Sequence, residues 1–199
     1  MTEYLDNINY KDTIPYIPNV TCGKVIKVYD GDTITIACKM PFDNSPIYRF
    51  SVRINGIDCP EMKTSNTTEK ECAVIAKTTI SDLVLHKIVY LQNVKLEKYG
   101  RILADVVINN ISLGDMLCKC NLAVTYDGGT KKSPDDWMHY YHTSTTSPDK
   151  YLHEYEVLNA TEKENENKKK SILNRIGNHI IKTLTNCLFR QEPTDSSSA

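Results

Sequence analysis

Two β-branched runs, Gly23–Tyr29 and Thr33–Ala37, are separated only by Asp30-Gly31-Asp32. No other feature of the chain restricts its fold as tightly. Runs rich in Val, Ile and Thr that flank an Asp-Gly pair predict antiparallel strands joined by a tight turn, with Asp-Gly suited to type I′ geometry. Tyr48–Ile54 predicts a third strand of the same sheet. The chain then changes period. Ala73, Ile75, Ala76, Ile80, Leu83 and Val84 fall at helical spacing and predict an amphipathic helix over Thr68–His86. Lys87–Val94 and Ile102–Ile108 predict two more strands, and Ser112 opens a short helix through Cys120. Three strands, a helix, two strands and then helices imply an α+β fold: a closed five-stranded barrel of the OB type decorated with three helices.

The ends read differently. Residues 1–20 are polar, contain Pro15 and Pro18 and lack periodicity, so they predict an extended arm on which Ile14, Tyr16 and Ile17 could pack. After Ala123 the chain is irregular through Gly128-Gly129 and Ser133-Pro134, with a Ser/Thr-rich loop over His142–Pro148. Lys150 to about Leu173 predicts a helix whose middle, Glu162–Lys170, is charged like a solvated face. The expected organisation is an arm at 1–20, a barrel domain at 21–173, an amphipathic helical extension at 174–190 that makes one extra C-terminal helix, and a disordered tail at 191–199. Ile172, Leu173, Ile176, Ile180, Leu184 and Leu188 form the apolar stripe of that extension. It is expected to pack on the barrel or a partner helix, with weak membrane attachment as the lesser reading.

With 24 Lys and Arg against 25 Asp and Glu, the chain has no global attraction for polyanions. Any such site must be local, and Val20–Lys132 is the basic part, with 15 basic against 12 acidic residues. Seven Cys without pairing rhythm, and no apolar run over Met1–Asn19, predict reduced thiols in an intracellular, cytoplasmic chain, here expected to be monomeric. Cys118 and Cys120 lack a second ligand pair for zinc, and His139, His142, His153 and His179 show no ligand spacing with acids. No apolar stretch approaches the roughly 20 residues of a transmembrane helix.

Three short segments carry chemistry. Asp30-Gly31-Asp32-Thr33 taken alone is a turn. Arg53-Ile54-Asn55-Gly56-Ile57-Asp58-Cys59-Pro60-Glu61 runs from a strand through one carboxylate and a Pro-fixed bend to another, and could be a solvated rim. Lys98-Tyr99-Gly100-Arg101 places an Arg at a strand start, and could be a hairpin connection. In this order and at this spacing, the three together resemble the signatures of the staphylococcal nuclease (thermonuclease) family over roughly Gly23–Tyr126, with a weaker continuation to about Leu173.

That resemblance implies a Ca²⁺-dependent endonuclease acting on DNA or RNA and leaving 3′-phosphate ends. It implies metal carboxylates at Asp32 and Asp58, Asp30 as an outer carboxylate, and a backbone carbonyl ligand at Cys59, where the family often has Thr. These are hard oxygen donors, suited to Ca²⁺ and less well to Mg²⁺. Glu61 matches the family's general base, and Arg53 and Arg101 its phosphate-binding arginines. Lys98, Tyr99 and Tyr126 match substrate-binding positions, although Tyr126 reads equally as packing. The chain departs from the pattern in its short Met62–Thr68 segment, which carries only Lys63, and in having no Trp after Ser171-Ile172-Leu173, with Trp137 in an inserted loop. The alternative reading is a noncatalytic nuclease-like OB module that binds nucleic acid or protein.

Overall fold

The computed structural model of the chain describes residues 5–188, of which 177–179 and 182–188 are described in backbone only. The expected tail at 191–199, the side chains of His179, Leu184 and Leu188, and the thiol of Cys187 lie outside the described residues. The strands are β1 (Cys22–Val28), β2 (Thr33–Lys39), β3 (Ile47–Ile54), β4 (Ile57–Asp58), β5 (Ile88–Leu96), β6 (Ile102–Ile108), β7 (Ile111–Ser112) and β8 (Val124–Thr125). The helices are α1 (Thr67–Val84), α2 (Leu113–Lys119), α3 (Trp137–His142) and α4 (Pro148–Leu188).

β1, β2, β3, β5 and β6 close a five-stranded barrel, sealed where β3 runs parallel to β6 through the pairs Val52↔Ile102 and Ile54↔Ala104, and β7 adds a sixth strand. Closure removes the exposed sheet edges that a flat sheet would present. Period-two alternation sends Val25, Ile34, Ile36, Val52, Ile54, Ala104 and Val106 inward, where each is at most 1% exposed. Ala73, Ala76, Ile80 and Leu83 of α1 bury the helix's apolar face against the barrel. Bulges between Val25 and Lys27 in β1 and between Gln92 and Lys95 in β5 supply the local bending that a small barrel needs.

The expected α+β barrel is the one found, with differences of detail. Trp137 does not lie in an open loop: it begins α3, is 3% exposed and packs edge-on to Tyr140 with ring centroids 6.1 Å apart. Asp136 caps that helix by accepting from Met138 N and His139 N, a signal short enough to pass for loop sequence. α4 begins at Pro148 and continues without a break past Leu173 to Leu188. The chain divides into two compact units, with the boundary between Tyr155 and Glu156. In the second unit Ile172, Leu173, Ile176, Ile180 and Ile181 are all at least 51% exposed. In the arm, Ile14 and Tyr16 are exposed, while Val20 joins the core at 3% exposure.

The turn between β1 and β2 also differs from its expected geometry. Gly31 does not occupy the positive-φ region that a type I′ turn requires, whereas Gly56, Gly100 and Gly128 do. A Cβ at Gly31 would lie 2.8 Å from Cys59 Sγ and 2.9 Å from Ala76 Cβ. Glycine is needed here for close approach, because the turn packs onto α1 and the segment carrying Asp58.

Candidate active site

Asp32 ends the β1–β2 turn, and its carbonyl accepts from Ile54 N at 2.8 Å, which fixes it beside the end of β3. Register pairs Thr33 with Arg53, so the Arg53 side chain emerges next to Asp32. β4 turns back from β3 through Asn55-Gly56, with Gly56 at φ 78°, and carries Asp58. Arg53 bridges the two acids: Nη1 lies 2.7 Å from Asp32 Oδ2 and Nη2 lies 2.8 Å from Asp58 Oδ1. The side chains are 13%, 5% and 3% exposed for Arg53, Asp32 and Asp58, so the ion pairs are shielded from water. Burial works to lower the Arg53 pKa, but Asp32 and Asp58 outweigh it and raise it.

Burial pushes Asp32 from 3.8 up to about 7; Arg53 and the Thr33 hydroxyl oppose the shift, and the charge of Asp30 adds to it. Thr33 Oγ1 donates to Asp32 Oδ1 at 2.8 Å. Asp30 Oδ1 is buried without a hydrogen-bond partner. A crowded acid and an orphaned carboxylate oxygen on one turn are what a hard divalent cation would relieve, and the donors present are carboxylate and carbonyl oxygens. No cluster of three or more His, Cys, Asp or Glu side chains stands in ligand geometry among the described residues, because Asp32 and Asp58 are turned to basic partners. The residues fit a cation in donor type, and Arg53 and Lys131 hold the carboxylates of Asp32 and Asp58 in place.

Cys59 is buried, its Sγ directed at Gly31, and burial raises its thiol well above the ordinary value, with Asp32, Asp30 and Asp58 adding to the effect. It is therefore a neutral thiol facing the core, which leaves only its backbone for any cation.

Glu61 follows Pro60 on an exposed segment that is clamped from α1. Glu69 Oε1 accepts from Glu61 N at 3.1 Å, and Glu69 Oε2 accepts from Thr64 Oγ1 at 2.7 Å. Asn66 caps α1 by accepting from Thr68 N and Glu69 N. The Asn-x-x-Glu spacing is readable as a helix start, but the sequence does not say that the Glu reaches back to the residue after Pro60.

Lys131 is the principal residue that sequence reasoning missed. Its Nζ lies 2.6 Å from Glu61 Oε1 and 3.0 Å from Asp58 Oδ1. The short β4–β8 ladder, Ile57↔Thr125 and Asp58↔Val124, extended by Tyr126 N to Gly56 O at 2.9 Å, carries the following loop over the site. Burial works to lower the Lys131 pKa, and the bonds from Glu61 and Asp58 more than reverse it. The pair to Glu61 spans 70 residues of sequence, and nothing local to Gly128-Gly129-Thr130-Lys131 announces it.

Arg101 reaches the same site from the β5–β6 turn, where Gly100 adopts φ 80°. Glu97 holds it through Nε at 2.6 Å and Nη2 at 2.8 Å, and Arg101 Nη1 lies 3.5 Å from Thr33 Oγ1. The bond from Arg101 lowers the Glu97 pKa, and the same bond raises that of Arg101. Beside these groups lies a cleft of about 950 Å³ whose lining includes Arg53, Lys98, Leu103, Tyr126 and Lys132. Tyr126 borders it with its hydroxyl donating to Gly129 O at 3.1 Å. Tyr99 is 74% exposed at the turn, outside the lining, with Lys98 Nζ 5.0 Å from its ring centre.

Asp30, Asp32, Arg53, Asp58, Glu61 and Arg101 thus come from separate segments to one end of the barrel, with Lys98 and Tyr126 on the adjoining cleft. The chain is 27% identical over 138 residues to a protein of Schizosaccharomyces pombe described as a probable endonuclease. That match takes in 62% of this chain and spans about 60% of the length of the relative. Residues 51–146, which hold Arg53, Asp58, Glu61, Arg101 and Lys131, match the model of the staphylococcal nuclease homologue family. The chain is thus similar to staphylococcal nuclease homologues over residues 51–146, just under half of its length.

Proposed function

We propose that this protein is a Ca²⁺-dependent endonuclease that hydrolyses phosphodiester bonds of DNA or RNA and leaves 3′-phosphate ends. The observation that carries the reading is the Arg53 guanidinium held between Asp32 and Asp58, at 2.7 and 2.8 Å, with Glu61 and Arg101 at the same barrel end. Asp32, Asp58 and the carbonyl of Cys59 would hold the cation, with Asp30 outside them, and the cation would supply charge stabilisation at the phosphate oxygens.

The remaining work belongs to side chains. Arg53 and Arg101 present forked donors to nonbridging phosphate oxygens, and Glu97 and the two aspartates preset their orientation before substrate arrives. Glu61 accepts the proton of the attacking water; its Oε1 is engaged by Lys131, so Oε2 is the available acceptor. Lys98 and Tyr126 hold the flanking nucleotide in the cleft, and Tyr99 meets it from the exposed turn. The six described cysteines are free thiols, which suits the reduced, cytoplasmic setting of this reading.

The noncatalytic alternative draws on one observation: Arg53, Arg101 and Lys131 are already neutralised within the chain. One assay separates the two. Purified protein is incubated with single-stranded DNA and RNA in Ca²⁺, Mg²⁺ or chelator, and the ends are identified. Cleavage in Ca²⁺ with 3′-phosphate ends is expected; binding without cleavage in either metal would sink the enzymatic reading.

A further inference from the structure

The wall of the barrel that carries Arg53 has an outer face made by β1, β2 and β3. Register places Lys24 beside Ala37, and Ala37 beside Arg49. Lys27 stands beside Thr35, and Thr35 beside Ser51. The row ends where Thr33 pairs with Arg53. Lys39 extends it at the far end and is exposed, as are Lys24, Lys27 and Arg49. The inward positions of these strands are filled by Val25, Ile34, Ile36, Val52 and Ile54, so the cations have no core to turn into and must project outward.

In a chain of net charge -1, β1, β2 and β3 contain five Lys or Arg and no Asp or Glu. Among the described residues Lys24, Lys39 and Arg49 have no ion-pair partner, and Lys27 Nζ lies 5.8 Å from the ring centre of Tyr29, itself 47% exposed. At the active site Arg53, Arg101 and Lys131 are each matched by acids; on this face the charge stands uncompensated and makes a single-sign field. Arg49 and Arg53 face the same way four residues apart, about 13 Å along the strand, enough for more than one phosphate of an extended chain.

We propose that the outer face of β1–β3 docks the sugar-phosphate backbone of single-stranded nucleic acid and leads it to Arg53. This rests on the phosphodiesterase reading of the site. Regularly spaced cations, the hydroxyls of Thr35 and Ser51, and one exposed aromatic ring recognise a repeating anion with stackable bases and carry no base-specific pattern. The track is continuous with the site because Arg53 belongs to both.

The test is binding of a fluorescein-labelled 20-nucleotide single-stranded DNA in chelator, read by anisotropy across a salt series. Lys24→Ala with Arg49→Ala should weaken binding about tenfold and flatten the slope of log affinity against log salt by about 1.4, at about 0.7 for each phosphate no longer neutralised. Lys24→Arg with Arg49→Lys should restore both, and thermal melting of each variant establishes that the barrel is intact. Wild-type affinity and slope in the folded alanine variant would overturn the proposal. So would displacement of the DNA by poly-glutamate as effectively as by unlabelled DNA of equal charge, which would assign the face to an acidic peptide. A wild-type protein that cleaves in Ca²⁺ while the alanine variant binds normally refutes only the track. Salt-dependent binding that the alanine variant abolishes, with no cleavage under either metal, refutes only the enzymatic reading.

Discussion

At Asp32 two opposed effects meet: burial and Asp30 favour the protonated acid, and Arg53 favours the charge, with burial prevailing at about 7. Because the folded pKa lies above the ordinary 3.8, the native state holds a proton that the unfolded chain releases. This contribution to stability is full below about 4 and is lost as pH rises through 7. A cation competes for the same carboxylate, so the rise in melting temperature caused by Ca²⁺ should grow between pH 6 and 8; a constant or shrinking rise would remove Asp32 from the cation site. Lys131 stands against the other acids, so Lys131→Ala should tighten Ca²⁺ binding several-fold in calorimetry, and unchanged affinity would show that the ammonium does not compete. Glu61→Gln and Arg101→Ala should each reduce turnover by about a hundredfold, typical of removing a base or one charge-stabilising group. Cleavage within a few-fold of the parent by either folded variant would reject its role. Cys59→Thr should retain Ca²⁺ binding, because the thiol faces Gly31 rather than the acids.

Among elements, the β1–β2 turn, the segment following β4 and the middle of α1 form one packed unit. Gly31→Ala would press a Cβ to 2.8 Å from Cys59 Sγ and 2.9 Å from Ala76 Cβ, both anchored groups. Such overpacking costs about 1–3 kcal/mol. The melting temperature should therefore fall, and Ca²⁺ affinity should fall with it, since the displaced turn carries Asp30 and Asp32; an unaltered melt would mean the turn has slack that the packing does not show.

At the scale of the whole molecule, every residue assigned to chemistry lies between Asp30 and Lys131, within the unit that ends at Tyr155. A chain ended after Leu173 should keep its cleavage rate, and loss of cleavage with an unchanged melt would bring the C-terminal helix into the reaction. No described helix is long and apolar enough to cross a membrane. The barrel strands were legible from sequence because β-branched alternation is local, and α1 because its apolar residues repeat at helical spacing. The motif residues stand beside turns marked by Gly31, Gly56, Pro60 and Gly100, but each segment alone reads as a turn, a rim or a hairpin, and only their order and spacing, which resemble the staphylococcal nuclease family, single them out. Lys131, Glu69 and α3 were not legible. Lys131 meets Glu61 across 70 residues, through a two-pair ladder too short to leave a periodic signal. Glu69 reads as an ordinary first-turn acid until the backbone of Glu61 is brought to it. Sequence alone thus determined which segments form the five barrel strands and which acids and arginines stand near their ends, since both follow from local spacing, whereas β4, β7 and β8, two residues each, carry no such signal. Closure of β3 on β6 and pairing of β4 with β8 decided which of those groups touch, because contact between distant segments depends on how the barrel packs.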